Sequence, residues 1–410
     1  IPLDKNEHAA ELQTALGGLK GPLMKVAQMV STIPDFLPPE YAAELSQLQA
    51  EAPAMGWPFV KRRMRAELGA DWQEKFGAFE KEASHAASLG QVHGATLHDG
   101  RRVACKLQYP DMASAVESDI GQLKTMLGLF KRMDGSIDPS AMVVEITDRL
   151  REELDYAREA KHMALYANML ADRDFVTVPD PVPELSTDRL LTMSWVSGKR
   201  LDAFEDAPQE VRNRIAEMLF WTWWGPFNSH AVIHGDPHLG NYQVTGEGTG
   251  LNLLDFGCIR IFPPEFVSGV VDLYRAILAD DFDAAYAAYE KWGFSGLSRE
   301  LVKVLNIWAR FIYGPLLDDR VRSVADGVTP GEYGRKEAFA VRKLLKEKGP
   351  VKIPREFVFM DRAAIGLGAA YLRLGAELNF YRLFNESLEG FDIEKVAARQ
   401  AEAKAAVGLD

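Results

Sequence analysis

The chain has 410 residues, 47% of them hydrophobic, and a formal net charge of −12, so it can bury a sizeable core as one bilobal unit or two domains. The acidic balance, with a pI near 5.3 and no Lys/Arg stripe, excludes a nucleic-acid surface, which needs clustered cations against phosphates. Cys105 and Cys258, the only 2 cysteines, exclude a disulfide framework and point to a reducing, cytoplasmic setting.

No apolar stretch reaches the roughly 18 residues of a transmembrane helix, which leaves peripheral contact as the route to a membrane. The start at Ile1-Pro2-Leu3 leaves open whether a targeting segment was removed. Residues 1 to 75 read as helices punctuated by Pro34, Pro38, Pro39, Pro53 and Pro58. Lys25 and Gln28 share one helix face there and, on their own, read as the polar side of an amphipathic helix. Strands are predicted from Phe76 to Lys106, with His98-Asp99-Gly100 as a turn and residues 101–108 alternating as a half-buried strand does. That alternation turns Cys105 into the lobe and away from Lys106, which argues against a redox role at the site.

Helices are predicted around residues 112–131 and 139–170. In the second, at about 100° per residue, Asp155 and Glu159 share a face while Glu153 points roughly 120° from Glu159. A Pro-rich passage, 178–183, leads into a strand over 189–196 that Ser197-Gly198 closes. The aromatic run 219–227 is expected to form a buried central helix in preference to a membrane contact. An apolar strand, 251–254, follows, and beyond Phe262 the pattern is almost wholly helical, with breaks at 293–296, 327–331 and 349–350.

Two patterns carry chemistry. In His234-Gly-Asp-Pro-His-Leu-Gly-Asn241, Asp236 stands five residues before Asn241, the interval at which a kinase catalytic loop offers a carboxylate to the attacking group and an amide oxygen to magnesium. Asp255, opening Asp-Phe-Gly257 at the end of the apolar strand, supplies the other metal ligand. Mg²⁺ takes a few hard oxygens and fills its remaining positions with water and phosphate, so Asn241 with Asp255 is a sufficient protein share. His234 and His238 suggest zinc, but their spacing lacks a third ligand. Upstream, Val103-Ala-Cys-Lys106 matches the strand-lysine pattern of kinases, which assigns Lys106 to the α and β phosphates of ATP. Ala86, Ala87 and Ser88 fall where the phosphate-covering loop belongs, with one glycine where the Gly-rich pattern has three; the stiffer turn predicts an altered nucleotide geometry. Strand 189–196 ends where a kinase hinge lies, so backbone groups near Ser194 and Val196 are candidates for the adenine edge. Met193 stands at the gatekeeper position, where it reads more simply as core filling.

Taken together, the His-Gly-Asp-Pro-His-x-Gly-Asn pattern, the alanine-rich run into Ser88-Leu-Gly-Gln-Val-His93, the strand ending Lys106-Leu-Gln-Tyr-Pro110 and Glu153-Leu-Asp-Tyr-x-x-Glu-Ala160 resemble the UbiB/AarF family. This is a family of atypical protein-kinase-like proteins associated with coenzyme Q and other prenyl lipids. Lys25-Val-Ala-Gln28 resembles its Lys-x-Gly-Gln motif, with Ala27 in the glycine's place, which raises helix propensity. The resemblance implies an α+β, bilobal protein-kinase-like fold with an N-terminal helical extension (1–75), an N-lobe (76–196) and a helical C-lobe (197–410). It also implies that Glu159 pairs with Lys106, that Glu153 and Asp155 contact the N-terminal lysine helix, and that Lys25 enters the pocket where a protein kinase admits peptide. ATP and Mg²⁺ are the implied cofactors, with small molecules or proteins of a quinone or prenyl-lipid pathway as partners. With Asp236 as general base or water-positioning group, ATP hydrolysis or small-molecule phosphorylation is expected in preference to protein phosphorylation. Two rival readings are a small-molecule kinase resembling the aminoglycoside or choline kinases and a binding module that ATP reshapes without useful turnover.

Overall fold

The structure, a computed structural model, describes residues 54–86, 89–118, 120, 121, 124, 140–236, 239–327, 329, 334, 337, 341, 343, 344 and 354–409. These form two compact units, one running to Ala160 and including Asp180–Trp195, the other comprising Lys161–Pro179 and the chain from Val196 onward.

The first unit opens with helix α1 (Trp57–Leu68), which carries Pro58 in its first turn and ends at Gly69, whose φ of 95° suits glycine. Val60 and Met64, one turn apart, are fully buried against Trp72, Phe76, Val103, Cys105 and Leu107. Strands β1 (Ala78–Phe79), β2 (His85–Ala86), β3 (Gly90–Thr96) and β4 (Arg102–Gln108) follow. The β3–β4 hairpin turns at Gly100, with φ 88° and an N–H bonded to the Leu97 carbonyl at 3.0 Å, as the His-Asp-Gly signal predicts. Along β4 the pleat sends Val103, Cys105 and Leu107 into the core and leaves Lys106 on the other face.

Helices α2 (Ser140–Glu152) and α3 (Tyr156–Met169) come next, and the chain contributes β5 (Val176–Thr177) to the second unit before returning with β6 (Leu190–Ser194). The sheet order is β1-β3-β4-β6, antiparallel throughout, with β2 paired to β3; Lys106 stands between Val92 and Leu191.

The single helix expected over 139–170 is in fact two. Leu154 and Asp155 donate to carbonyls three residues back, and the Asp155 carboxylate then accepts the Arg158 N–H at 2.9 Å, starting α3 anew. An Asp at this position satisfies an orphan donor of the new helix better than it continues the old one. The helical-wheel relation between Glu153 and Glu159 therefore does not hold.

In the second unit, β7 (Lys199–Arg200) precedes the long helix α4 (Gln209–His230). Its aromatic run is core: Phe220, Trp223 and Phe227 are essentially unexposed, and Trp224 meets Phe384 edge-on at 5.0 Å. The helix ends at Ala231 in the left-handed region, whose N–H returns to the Phe227 carbonyl. Strands β8 (Val232–His234), β9 (Tyr242–Thr245), β10 (Gly250–Leu253) and β11 (Ile259–Ile261) follow. One sheet has the order β5-β10-β9-β7, parallel only between β5 and β10, and β8 pairs with β11 as an antiparallel ribbon.

The remainder is helical: α5 (Pro264–Leu278), α6 (Phe282–Lys291), α7 (Arg299–Tyr313), α8 (Arg355–Arg373), α9 (Phe380–Ser387) and α10 (Ile393–Ala406). Asp281, Ser298, Asn379 and Asp392 cap four of these through their side chains. Among the described residues no helix is long and apolar enough to cross a membrane.

Candidate active site

Lys106 leaves β4 on the face opposite the core and meets Glu159 in the first turn of α3. Its Nζ donates to both carboxylate oxygens, at 2.8 and 2.9 Å. Glu159 is only 3% exposed, and the ammonium also lies 5.1 Å from the centre of the Tyr156 ring. A carboxylate buried this deeply is tolerable because a bidentate cation meets it. Asp155 sets the pair up at a distance, since its cap fixes where α3 begins and its carbonyl accepts the Glu159 N–H at 3.0 Å. This is the Lys106–Glu159 pairing that the family resemblance implies, with the geometry expected of a kinase's strand lysine.

Ala86 ends β2 opposite Gln91; Ala87 and Ser88 lie outside the described residues. The lone glycine, Gly90, serves packing: a Cβ there would stand 2.5 Å from the Leu107 carbonyl and 2.9 Å from the Tyr156 hydroxyl. Met193 is buried opposite Ala104, the core filling expected of it. The Ser194 N–H donates to the Asp180 carbonyl at 2.8 Å and its hydroxyl accepts from the Asp180 N–H at 2.9 Å, so that amide is engaged within the first unit. Val196 is half-buried at the start of the second unit. Cys105 is sealed in the core, where burial pushes its thiol up to about 12, a group with no thiolate to offer redox chemistry.

In the second unit the metal-binding candidates are stitched together by His234. Its Nδ1 accepts the Asp236 N–H at 3.3 Å, and its Nε2 lies 2.5 Å from the Asp255 carbonyl, to which it donates. This assigns the neutral Nε2–H tautomer and uses both nitrogens, leaving the ring no lone pair for zinc; His238 lies outside the described residues. Trp223 Nε1 donates to the His234 carbonyl at 3.0 Å, and the ring packs against Tyr166 and Phe256.

Two further bonds hold the segments in register: Gly235 N–H to the Cys258 carbonyl at 2.7 Å and Leu254 N–H to the Asn241 carbonyl at 3.0 Å. Asn241 Nδ2 donates to the Asp236 carbonyl at 3.0 Å and to its Oδ2 at 3.2 Å. With the amino end committed, the amide presents Oδ1, a hard oxygen suited to Mg²⁺. Asp255 Oδ1 accepts the Gly257 N–H at 2.8 Å, which fixes the rotamer of that carboxylate. Burial, followed by the negative charge of Asp236, pushes the Tyr242 phenol above its ordinary range, so it stays protonated behind the loop.

Among the described residues no set of three or more His, Cys, Asp or Glu side chains could hold a metal. An Asp with an Asn is the donor set that suits magnesium shared with phosphate.

A family model described as the ABC1 atypical kinase-like domain matches residues 47–289, more than half of the chain and every site residue from Ala86 to Asp255. The chain belongs to this family. It is 34% identical over 294 residues to the mitochondrial atypical kinase coq-8 of Caenorhabditis elegans, covering 69% of this chain and 38% of that protein. To the mitochondrial atypical kinase COQ8 of Saccharomyces cerevisiae it is 27% identical over 378 residues, covering 90% of this chain and 74% of the yeast protein. The chain thus spans well under half of the worm relative and about three quarters of the yeast one. Among solved structures, Rv3197 from Mycobacterium tuberculosis in complex with erythromycin matches with a TM-score of 0.65 and 27% identity, over 94% of this chain and 96% of that one.

The family's Lys-x-Gly-Gln counterpart, Lys25 to Gln28, lies outside the described residues. Glu153 lies in the turn between α2 and α3, and Asp155 is the cap of α3, so these carboxylates stand at a helix junction and not along one helix. Sequence reading assigned no role to His234 beyond a rejected zinc site, although its place two residues before Asp236 was a signal. Gly235 was also missed: a Cβ there would stand 2.6 Å from the Cys258 carbonyl, so only glycine lets the two segments approach.

Proposed function

We propose that this family member binds ATP with Mg²⁺ and either hydrolyses it or passes its terminal phosphoryl group to a small molecule. The observation that carries the reading is the Lys106–Glu159 ion pair, 2.8 Å long, with the carboxylate buried. Mg·ATP, when bound, supplies an electrophilic phosphorus and a leaving group whose charge the metal shares.

The chain's own part is positioning. Lys106, oriented by Glu159 and Tyr156, meets the α and β phosphates, while Asn241 Oδ1 and the Asp255 carboxylate hold the metal. Asp236, tied to Asn241 and through its N–H to His234, orients the attacking hydroxyl or water and takes its proton. At the adenine edge the Ser194 carbonyl and the Val196 amide are the candidate partners, since the Ser194 N–H is already engaged. The alanines at Ala86 and Ala87 and the motif at Lys25 favour hydrolysis or small-molecule transfer over protein phosphorylation. The UbiB/AarF resemblance supports a part in quinone or prenyl-lipid synthesis, and the reading includes peripheral contact at a membrane.

The test is Mg²⁺-dependent ATP turnover by purified protein and by Asp255→Asn. Turnover should be lost in the variant; undiminished turnover would overturn the assignment. Normal quinone levels in a deletion strain would remove the pathway placement while leaving the ATP chemistry standing.

A further inference from the structure

Two polar side chains on the core face of β3 have no role in the site described so far. Gln91 and His93 are both 0% exposed, at places where Val or Leu would fill the core without burying polar atoms. Every hydrogen-bonding atom they bury is matched. Gln91 Oε1 accepts the Met55 N–H at 2.6 Å, and its Nε2 donates to the Met55 carbonyl at 3.3 Å and to His93 Nε2 at 2.8 Å. His93 Nδ1 in turn donates to the Glu80 carbonyl at 3.0 Å, and the ring stacks on Phe79 with centroids 5.4 Å apart. A carbonyl can only accept, so His93 is the neutral Nδ1–H tautomer and its Nε2 receives the glutamine's proton. Burial lowers its pKa in the same sense.

The other end of this chain of bonds is the β2–β3 hairpin itself, for Gln91 pairs in register with Ala86, the residue that leads into the alanine-rich turn. Met55 lies just before α1, downstream of Lys25 and Gln28 in the sequence. With both side chains fully buried, this chain of bonds has one satisfied arrangement, so a shift at Met55 moves Gln91 or leaves a buried amide unpaired.

We infer that Gln91 and His93 are positioning residues for the phosphate loop, transmitting the placement of the chain at Met55 to the hairpin that ends in Ala86. The inference rests on the nucleotide reading above and deepens it: the placement of Met55 would act on ATP through the phosphates and not through the adenosine.

The test is a pair of titrations, Mg·ATP and adenosine, on wild type and Gln91→Met, which keeps the core volume and removes the grip on Met55. ATP affinity should fall about tenfold while adenosine affinity stays within about twofold. Unchanged affinity for both, or equal loss for both, overturns the inference, the latter showing a merely structural role. Failure of wild type to bind ATP would instead sink the nucleotide reading beneath it. If Gln91→Met does not fold, hydrogen exchange on wild type decides. Peptides containing Met55 and the β2–β3 hairpin should gain protection together when Mg·ATP is added, and protection of the hairpin without the Met55 peptide overturns the coupling.

Discussion

Asp361, on α8, offers a quantitative test of the second unit's helical packing. Its carboxyl accepts from Trp308 Nε1 at 2.5 Å and shares an apolar cavity with Leu273, Tyr289, Leu305 and Met360. Burial raises its pKa from an ordinary 3.8 to about 7, against the opposing pull of the Trp308 bond. The folded state therefore holds a proton that the unfolded state has released between those values. Stability is full below about pH 4 as far as this group is concerned, and is lost as pH rises toward 7.

At about 1.36 kcal/mol for each tenfold change in proton affinity, this rise sets an upper bound of about 4 kcal/mol. Since the residue as a whole is only half-buried, about 2 kcal/mol is the working figure. Asp361→Asn keeps an acceptor for Trp308 and removes the charge. In urea unfolding followed by tryptophan fluorescence from pH 5 to 8.5, the variant should be the more stable at pH 8 and should lose this part of the pH dependence. A variant less stable than wild type at pH 8, with the pH profile unchanged, would refute the reasoning.

At the opposite end of the scale, burial and the nearby Arg399 lower the pKa of His230 from 6.5 to about 4. The unfolded state then takes up the proton first, so this contribution is intact above about pH 6.5 and declines as pH falls toward 4. It amounts to about 2 kcal/mol after allowance for partial exposure, and His230→Gln should flatten that part of the acid-unfolding curve. Gly235→Ala forces a Cβ to 2.6 Å from the Cys258 carbonyl and 3.1 Å from its Sγ. Overpacking of this kind costs about 1–3 kcal/mol, and it should lower both the melting temperature and ATP turnover; a variant unchanged in both would contradict the role given to the His234–Gly235 segment.

Local patterns made much of the site legible. Alternation along residues 101–108 was enough to put Cys105 in the core and Lys106 on the other face, because a pleated strand admits no other arrangement. The aromatic content of residues 219–227 sufficed for a buried helix, and Asp236, Asn241 and Asp255 lie on segments that hydrogen bonds hold in register. The break at Leu154 was hidden because an Asp reads equally as a helix surface residue or as a cap, and only the geometry of the Arg158 N–H separates the two. The parallel pairing of β5 with β10 joins residues far apart in the chain and leaves no local trace. Likewise, His234 acts through both ring nitrogens on backbone groups, one of them 21 residues away, which no spacing rule encodes.

The central proposal is that the chain binds ATP with Mg²⁺. Calorimetric titration of the wild-type chain with ATP, with and without Mg²⁺, tests it most directly. Saturable binding that tightens about tenfold or more with Mg²⁺ is the predicted result. Binding indifferent to Mg²⁺, or no binding at all, would contradict the account.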